Sequence, residues 1–567
     1  MKKVKHILVS ILTVGLLLTS LAGCGEQKEQ KEETFNQEKP VVTEAPVVTE
    51  APTATEVPAS SAPDNEEKDK KNYLNYTLSE ENIATFETQL LLCEQMLKDG
   101  VPYADMEVAV ETLDELACGI QYQANIAEVL YYSDLQNEVA VDNYLFSSEV
   151  SAEITSECFD FLVELYDNGE YDRYFDEWSE LELKYLESHS EENVELEVRN
   201  SEILAEFYDL QAAEFEEKIG TLYSEFINNC KEIAANSGYA NYYDYASALN
   251  YMRDYGKEER EQFRKFVKEY IVPLYYTAFE QYEDAYAELP KADRKFVDAL
   301  SYNAYDSLET DYVNAYFEGL PENLQTYMVH MFEEEAYLMK DEKGVYEGAF
   351  TTYFGVPFCY FGPGYQDSFT VIHEIGHYYA ECSNNGSGLS YDLCETHSQG
   401  NEMLFLNYLG TVLEPQIFEA MEAGKLSYFI DTIMVATLMD EFEEIVYNLP
   451  GQVNYTAEDF DEIMHQVIKS YGFEEDDEYI RTYGEWLWRN VGINTPVYYI
   501  SYATSAMASL NLYNQSREDY EAALESYRVI QEEIDLDKNF TGTLAKAGLD
   551  SVFEEDAYIE LQELFEE

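Results

Sequence analysis

The chain has 567 residues, 46% of them hydrophobic, which is enough for a large core and more than one sub-domain. Its 114 acidic residues against 34 basic ones give a formal net charge of -80. Such a surface repels phosphate backbones and excludes nucleic acid as a natural partner, while attracting cations, basic peptides included.

At the N-terminus, Lys2, Lys3 and Lys5 precede an apolar run from Ile7 to Leu21. The run is too short and too early for an ordinary spanning helix. It closes on Leu21-Ala22-Gly23-Cys24, which resembles the lipobox of bacterial lipoproteins. That resemblance implies a signal peptide over 1–24, lipidation of Cys24, and a membrane-tethered protein outside the cytoplasm, since paired acyl chains give a stable anchor. Seven Cys follow Cys24, an odd number with no CxxC pair, so no cysteine-based zinc site is indicated. Cys382 and Cys394 are placed so that they could close a loop as a disulfide.

Residues 25–72 read as a disordered stalk. VVTEAP at 41–46 recurs at 47–52, and Pro40, Pro46, Pro52, Pro58 and Pro63 space the segment. With Phe35 as its one aromatic, it lacks the apolar surface to offset its ordering entropy, and the prolines keep it extended. The pattern then turns helical nearly throughout, as an N-terminal helical region at 73–200 and a region carrying the chemistry at 201–567. Leu90, Leu91, Cys93, Met96 and Leu97 recur at helical spacing, as do Phe159, Phe161, Leu162 and Leu165. Thr456 followed by Glu458 and Asp459 marks a helix start; Gly100, Gly220 and Gly319 mark expected ends. Many of the 51 tyrosines should be half-buried, rings inward and hydroxyls wet. From about Gly344 to Gly364, Gly punctuation, Pro357, Pro363 and β-branched and aromatic residues predict short strands and turns.

Immediately after comes His373-Glu374-Ile375-Gly376-His377, with Asp367 and Ser368 as helix-start signals. At i and i+4 both imidazoles project from one helix face and offer two corners of a zinc tetrahedron. Glu374, displaced around the helix, is placed to take a proton from an attacking water rather than to bind metal. A catalytic zinc needs a third protein ligand and an open position. Glu395, beyond the Gly-bearing loop at 384–388, is the better candidate, on a second helix that returns its carboxylate over the metal. His397 is its rival, two positions along and pointing elsewhere.

HEIGH followed by DLCETHSQGNE resembles the thimet oligopeptidase and oligoendopeptidase F family of zinc peptidases. In that family the ligand Glu precedes a Ser by three positions, as Glu395 precedes Ser398, and a second Glu follows at the place of Glu402. Glu402, seven residues past Glu395, returns to the same helix face and is placed to orient a ligand His. GYANYYDYASALNYMRDYGKEEREQF, then FVKEYIVPLYY, resembles the family's pre-catalytic helices. NTPVYYISYATSAMASL, 494–510, resembles the segment of its transition-state tyrosines.

The resemblance, over roughly 200–515, implies an all-α, two-lobed body. It implies a deep channel admitting short unfolded peptides, a small β element beside the zinc helix, one zinc per chain, and a monomer. Tyr502 is the first choice as oxyanion donor and Tyr498 the second. Two features depart from the pattern. No His lies between 466 and 567, where oligoendopeptidase F-like chains carry one shortly before the Tyr pair, and one of the family's Tyr positions falls on Ile500. Competing readings are a peptidyl-dipeptidase of the angiotensin-converting type and a peptide-binding lipoprotein of weak activity.

Overall fold

The computed structural model describes residues 72–567, apart from 177, 209, 211, 303–306, 385–388, 474–477, 536–537 and 567. The signal peptide and nearly all of the stalk read from the sequence therefore lie outside the described residues, as does most of the loop at 384–388. The protein is 76% helical, and the one sheet among the described residues has three short strands, so the class is all-α as expected.

Local chemistry sets many helix ends. The first helix, Glu80–Asp99, starts where Ser79 and Asn82 bond each other and stops at Gly100, whose φ of 62° suits a residue without Cβ. Phe86, Leu90, Cys93 and Leu97 form its buried stripe, while Leu91 points outward, 63% exposed. Thr456 and Asp459 cap each other's backbone amides at the head of Ala457–Ser470. Gly220 does not end a helix. It lies inside Ala212–Asn236, and a Cβ there would meet the Ala457 backbone nitrogen at 2.3 Å. The residue serves a close helix crossing, which resembles a stop signal when only the sequence is read.

Helices Glu80–Asp99, Tyr103–Tyr132 and Glu138–Asn168 share one buried core containing Phe86, Val110, Cys158, Phe161 and Leu165. A larger core gathers nearly all the buried hydrophobics from Ile203 onward, together with Ile126 and Val129. Through it runs Pro415–Tyr447, 33 residues or about 50 Å long. It packs on Val272–Glu288 and Ile500–Glu518, its residues buried on every side from Phe429 to Asp440. Many tyrosines are half-buried as the sequence suggested, Tyr122, Tyr132 and Tyr286 among them, and others lie deeper. Those at 255, 316 and 558 are buried, with hydroxyls bonded to Asp392, Asn401 and the Val552 carbonyl rather than to water. All seven cysteines among the described residues are free, Cys382 and Cys394 included.

The expected strands are β2 (Ala349–Tyr353) and β3 (Pro357–Phe361), an antiparallel hairpin. An unanticipated β1 (Tyr337–Met339) adds in parallel on the far side of β3, giving the order β1-β3-β2. This sheet packs on the helix that carries HEIGH.

One buried acid has a consequence for stability. Glu128 is 2% exposed, its Oε2 has no hydrogen-bond partner, and burial pushes its carboxyl from 4.5 up to about 8. Between those values the folded chain holds a proton that the unfolded chain has released. Stability should therefore fall as pH rises through that window, by up to about 1.4 kcal/mol per unit from this group. Glu128→Gln removes the dependence, so its thermal midpoint should gain on the parent's between pH 5 and pH 8.5. Melting curves that keep a constant separation across that range would contradict the assignment.

Candidate metal centre and the residues around it

The HEIGH helix spans Ser368–Asn384. Asp367 caps it, accepting from the Thr370 amide at 3.1 Å and the Thr370 hydroxyl at 2.7 Å. Its half-buried positions are 370, 373, 377 and the last turn at 381, 382 and 383, whereas 371, 372, 374, 375 and 376 are buried. The two imidazoles thus stand on the face that opens toward solvent, one turn apart.

The second helix, Tyr391–Val412, is capped by Ser390. It crosses the first at Gly376, where a Cβ would lie 2.5 Å from the His397 carbonyl oxygen and 2.7 Å from the Ser398 Cα. The glycine of HEIGH is what lets the two backbones approach, and that approach carries Glu395 to the histidines. One ligand atom each from His373, His377 and Glu395 lies within 4.8 Å of the others. Glu395 Oε2 is 3.8 Å from His373 Nε2, and its other oxygen accepts from the Tyr498 hydroxyl at 2.8 Å. The rival His397 is fully buried on the opposite side, its Nε2 3.1 Å from the Ile530 carbonyl oxygen.

Supporting contacts fix each of these groups. Glu402 bonds His373 Nδ1 at 2.7 Å, leaving Nε2 toward Glu395. The other Glu402 oxygen pairs with Lys425, whose ammonium sits 4.4 Å from the Phe369 ring centre and 4.9 Å from that of Tyr428. Burial opposes a charge on Glu402, but Lys425 and His373 hold its carboxyl below the usual value. Burial pushes Glu395 up and His377 well down, the latter helped by neighbouring His373. The Glu374 carboxyl, 2% exposed, is pushed up to about 7 by burial against the pull of His373. The Thr351 hydroxyl on β2 donates to it at 2.8 Å.

Tyr498 lies in the turn before Ile500–Glu518. Its ring stacks edge-on to Tyr502 at 5.0 Å, so of the two tyrosines singled out, the second choice is the one whose hydroxyl reaches Glu395. The turn is clamped from both sides. Glu443 accepts the Val497 amide at 2.7 Å, and Val497 has a φ of 67°, which costs a β-branched residue on the order of 1–3 kcal/mol. Arg253 donates to the Tyr498 carbonyl at 3.1 Å and to Asp392 at 3.2 Å, tying the turn to the head of the Glu395 helix.

Thr351, Lys425, Glu443 and Arg253 were not singled out from the sequence. Each lies far along the chain from its partner; Arg253 alone fell within a stretch noted for its resemblance.

No family model matches the chain, and no curated protein matches it in sequence. Solved structures do match, and they define its fold class as that of the oligoendopeptidases. PZ peptidase A, solved with an inhibitor, superimposes at a TM-score of 0.68 with 19% identity, over 87% of this chain and 99% of that one. A protein from Bacillus anthracis assigned as an oligoendopeptidase F gives 0.66 and 16%, over 86% and 96%. Oligoendopeptidase F from Enterococcus faecium gives 0.55 and 14%, over 86% and 96%. The fold implied by the resemblance at HEIGH and DLCETHSQGNE is the fold the chain adopts.

Proposed function

We propose that this chain is a zinc-dependent oligoendopeptidase that hydrolyses internal bonds of short unfolded peptides. The observation that carries the reading is the convergence of His373, His377 and Glu395 within 4.8 Å, with Glu374 beside them on the same helix. The donor set fits zinc: two imidazoles and one carboxylate from the protein, the number that leaves a catalytic position open. His373 is further fixed through its other nitrogen, the usual support for a ligand histidine. Zinc held there supplies Lewis acidity toward a peptide carbonyl and toward water.

The chain's own groups do the rest. Glu374, steadied by Thr351, takes the proton of the attacking water and passes it to the leaving amine. Tyr498, whose hydroxyl donates to Glu395, and Tyr502, whose ring meets that of Tyr498 edge-on, are the donors proposed for the developing oxyanion. The turn that carries Tyr498 is held by Glu443, which accepts the Val497 amide, and by Arg253, which donates to the Tyr498 carbonyl. A deep channel of the kind the fold implies would admit peptides and exclude folded proteins.

Digestion of unstructured peptides followed by mass spectrometry tests the reaction. Internal cuts are expected. Release of dipeptides from the C-terminal end alone would make the protein a peptidyl-dipeptidase. Binding without cleavage would leave it a peptide-binding protein.

Glu402→Ala should weaken zinc affinity by roughly 10–100-fold while leaving the three ligands in place. Competition with a graded chelator reads this, and an unchanged affinity would remove Glu402 from the site.

The proposed location is the outer face of a bacterial membrane, through lipidated Cys24 and the stalk. Cys24→Ser should move the protein into the soluble fraction. Retention on membranes after a salt wash would mean a different anchor.

A further inference from the structure

The last turn of the HEIGH helix is half-buried at 381, 382 and 383, and the spacing of four that joins the two histidines runs on through it. That spacing reaches Glu381, on the face that carries His373 and His377, about 6 Å along the axis from His377. The Glu381 side chain makes no hydrogen bond or ion pair among the described residues, and its Oε2 is shielded from water without a partner. Burial without a partner pushes the Glu381 carboxyl up to about 7, and a cation placed beside it would favour the charged form. Nothing in the reaction assigned to Glu374 uses this group.

Its surroundings are specific. On β2, Thr351 and Tyr353 share the half-buried face, as residues two apart in a strand do. Thr351 reaches Glu374, and Tyr353 lies toward the later turn of the helix. Burial, and after it the Glu381 carboxylate, raises the Tyr353 hydroxyl. The ring of Tyr122 meets that of Tyr353 edge-on at 5.9 Å. A lone carboxylate beside two half-buried aromatic rings complements a guanidinium or ammonium, which pairs with the acid and lies against the rings.

Resting on the peptidase reading, we propose that Glu381 determines specificity: it binds a Lys or Arg side chain of the peptide substrate, within two residues of the scissile bond. The reach follows from the helix, since one turn past His377 covers the length of one to two extended residues. This differs from the general attraction that a net charge of -80 exerts on any cationic peptide. The general field acts at every position of the peptide and fades with salt; a shielded carboxylate acts at one position and persists.

The test uses the full-length, zinc-loaded protein and matched quenched peptides that carry Lys or norleucine at each position flanking one scissile bond. Cleavage is assayed at low salt and at about 1 M salt, where screening shortens electrostatic reach to about 3 Å. In the parent, the Lys/norleucine ratio of kcat/KM should be about tenfold or more at one position and should survive high salt. Glu381→Gln, which keeps size and hydrogen-bonding capacity, should bring that ratio near one. Glu381→Lys should invert it and favour Glu at the same position, an outcome that a merely structural role does not produce. An equal ratio in parent and Glu381→Gln at every position would overturn the inference and leave the peptidase reading standing. A parent that cuts none of the peptides would overturn both.

Discussion

Glu374→Gln is expected to bind zinc as the parent does and to lose roughly 10²–10⁴-fold in kcat, the range that a positioned general base contributes. The substitution keeps the shape of the side chain and its contact with the Thr351 hydroxyl, so the helix and its histidines have no reason to move. What it removes is the carboxylate beside the ligands that would accept a proton from water. Metal content by mass spectrometry and turnover on a single peptide should therefore separate cleanly: full zinc, almost no product. Activity equal to the parent's would remove Glu374 from the mechanism. Loss of zinc together with activity would mean that it holds metal.

The second large effect belongs to Glu395. Glu395→Ala leaves two imidazoles, too few for a stable catalytic zinc site, and bound metal should collapse after dialysis. The Tyr498 hydroxyl would lose its acceptor in the same substitution, so the turn before Ile500–Glu518 should loosen as well. His397→Ala is the matched control. That imidazole faces Ile530, so its loss should cost stability through one buried hydrogen bond, about 1–3 kcal/mol, without emptying the metal site. Full zinc in Glu395→Ala with loss in His397→Ala would transfer the ligand role to His397.

Local pattern was enough for the parts of the site that a single helix places. Spacing of four put His373 and His377 on one face, and Asp367 caps their helix as its position suggested. Glu402 was singled out by the family resemblance, and a separation of seven from Glu395 agrees with it by returning to one helix face. What spacing could not supply was the crossing of the two helices, which depends on the missing Cβ of Gly376. The same physics misled at Gly220, where close approach resembled a helix end. Thr351, Lys425 and Arg253 stayed hidden for a different reason. Each meets its partner across 23 to 245 residues of chain, on elements whose packing no local period encodes. The ranking of Tyr502 over Tyr498 came from motif alignment alone. A left-handed Val497 turns the backbone just before Tyr498, a feature that no motif alignment encodes.

The central claim, metal-dependent hydrolysis of short peptides by this constellation, is tested most directly by one digestion. A library of unstructured peptides is incubated with the protein, with the protein stripped by chelator, with the stripped protein returned to zinc, and with Glu374→Gln. Products are identified by mass spectrometry. Internal cuts are expected from the parent, with their loss on stripping, their return with zinc, and their near absence in the variant. Cuts that persist without metal, or that Glu374→Gln makes as readily as the parent, would contradict that claim.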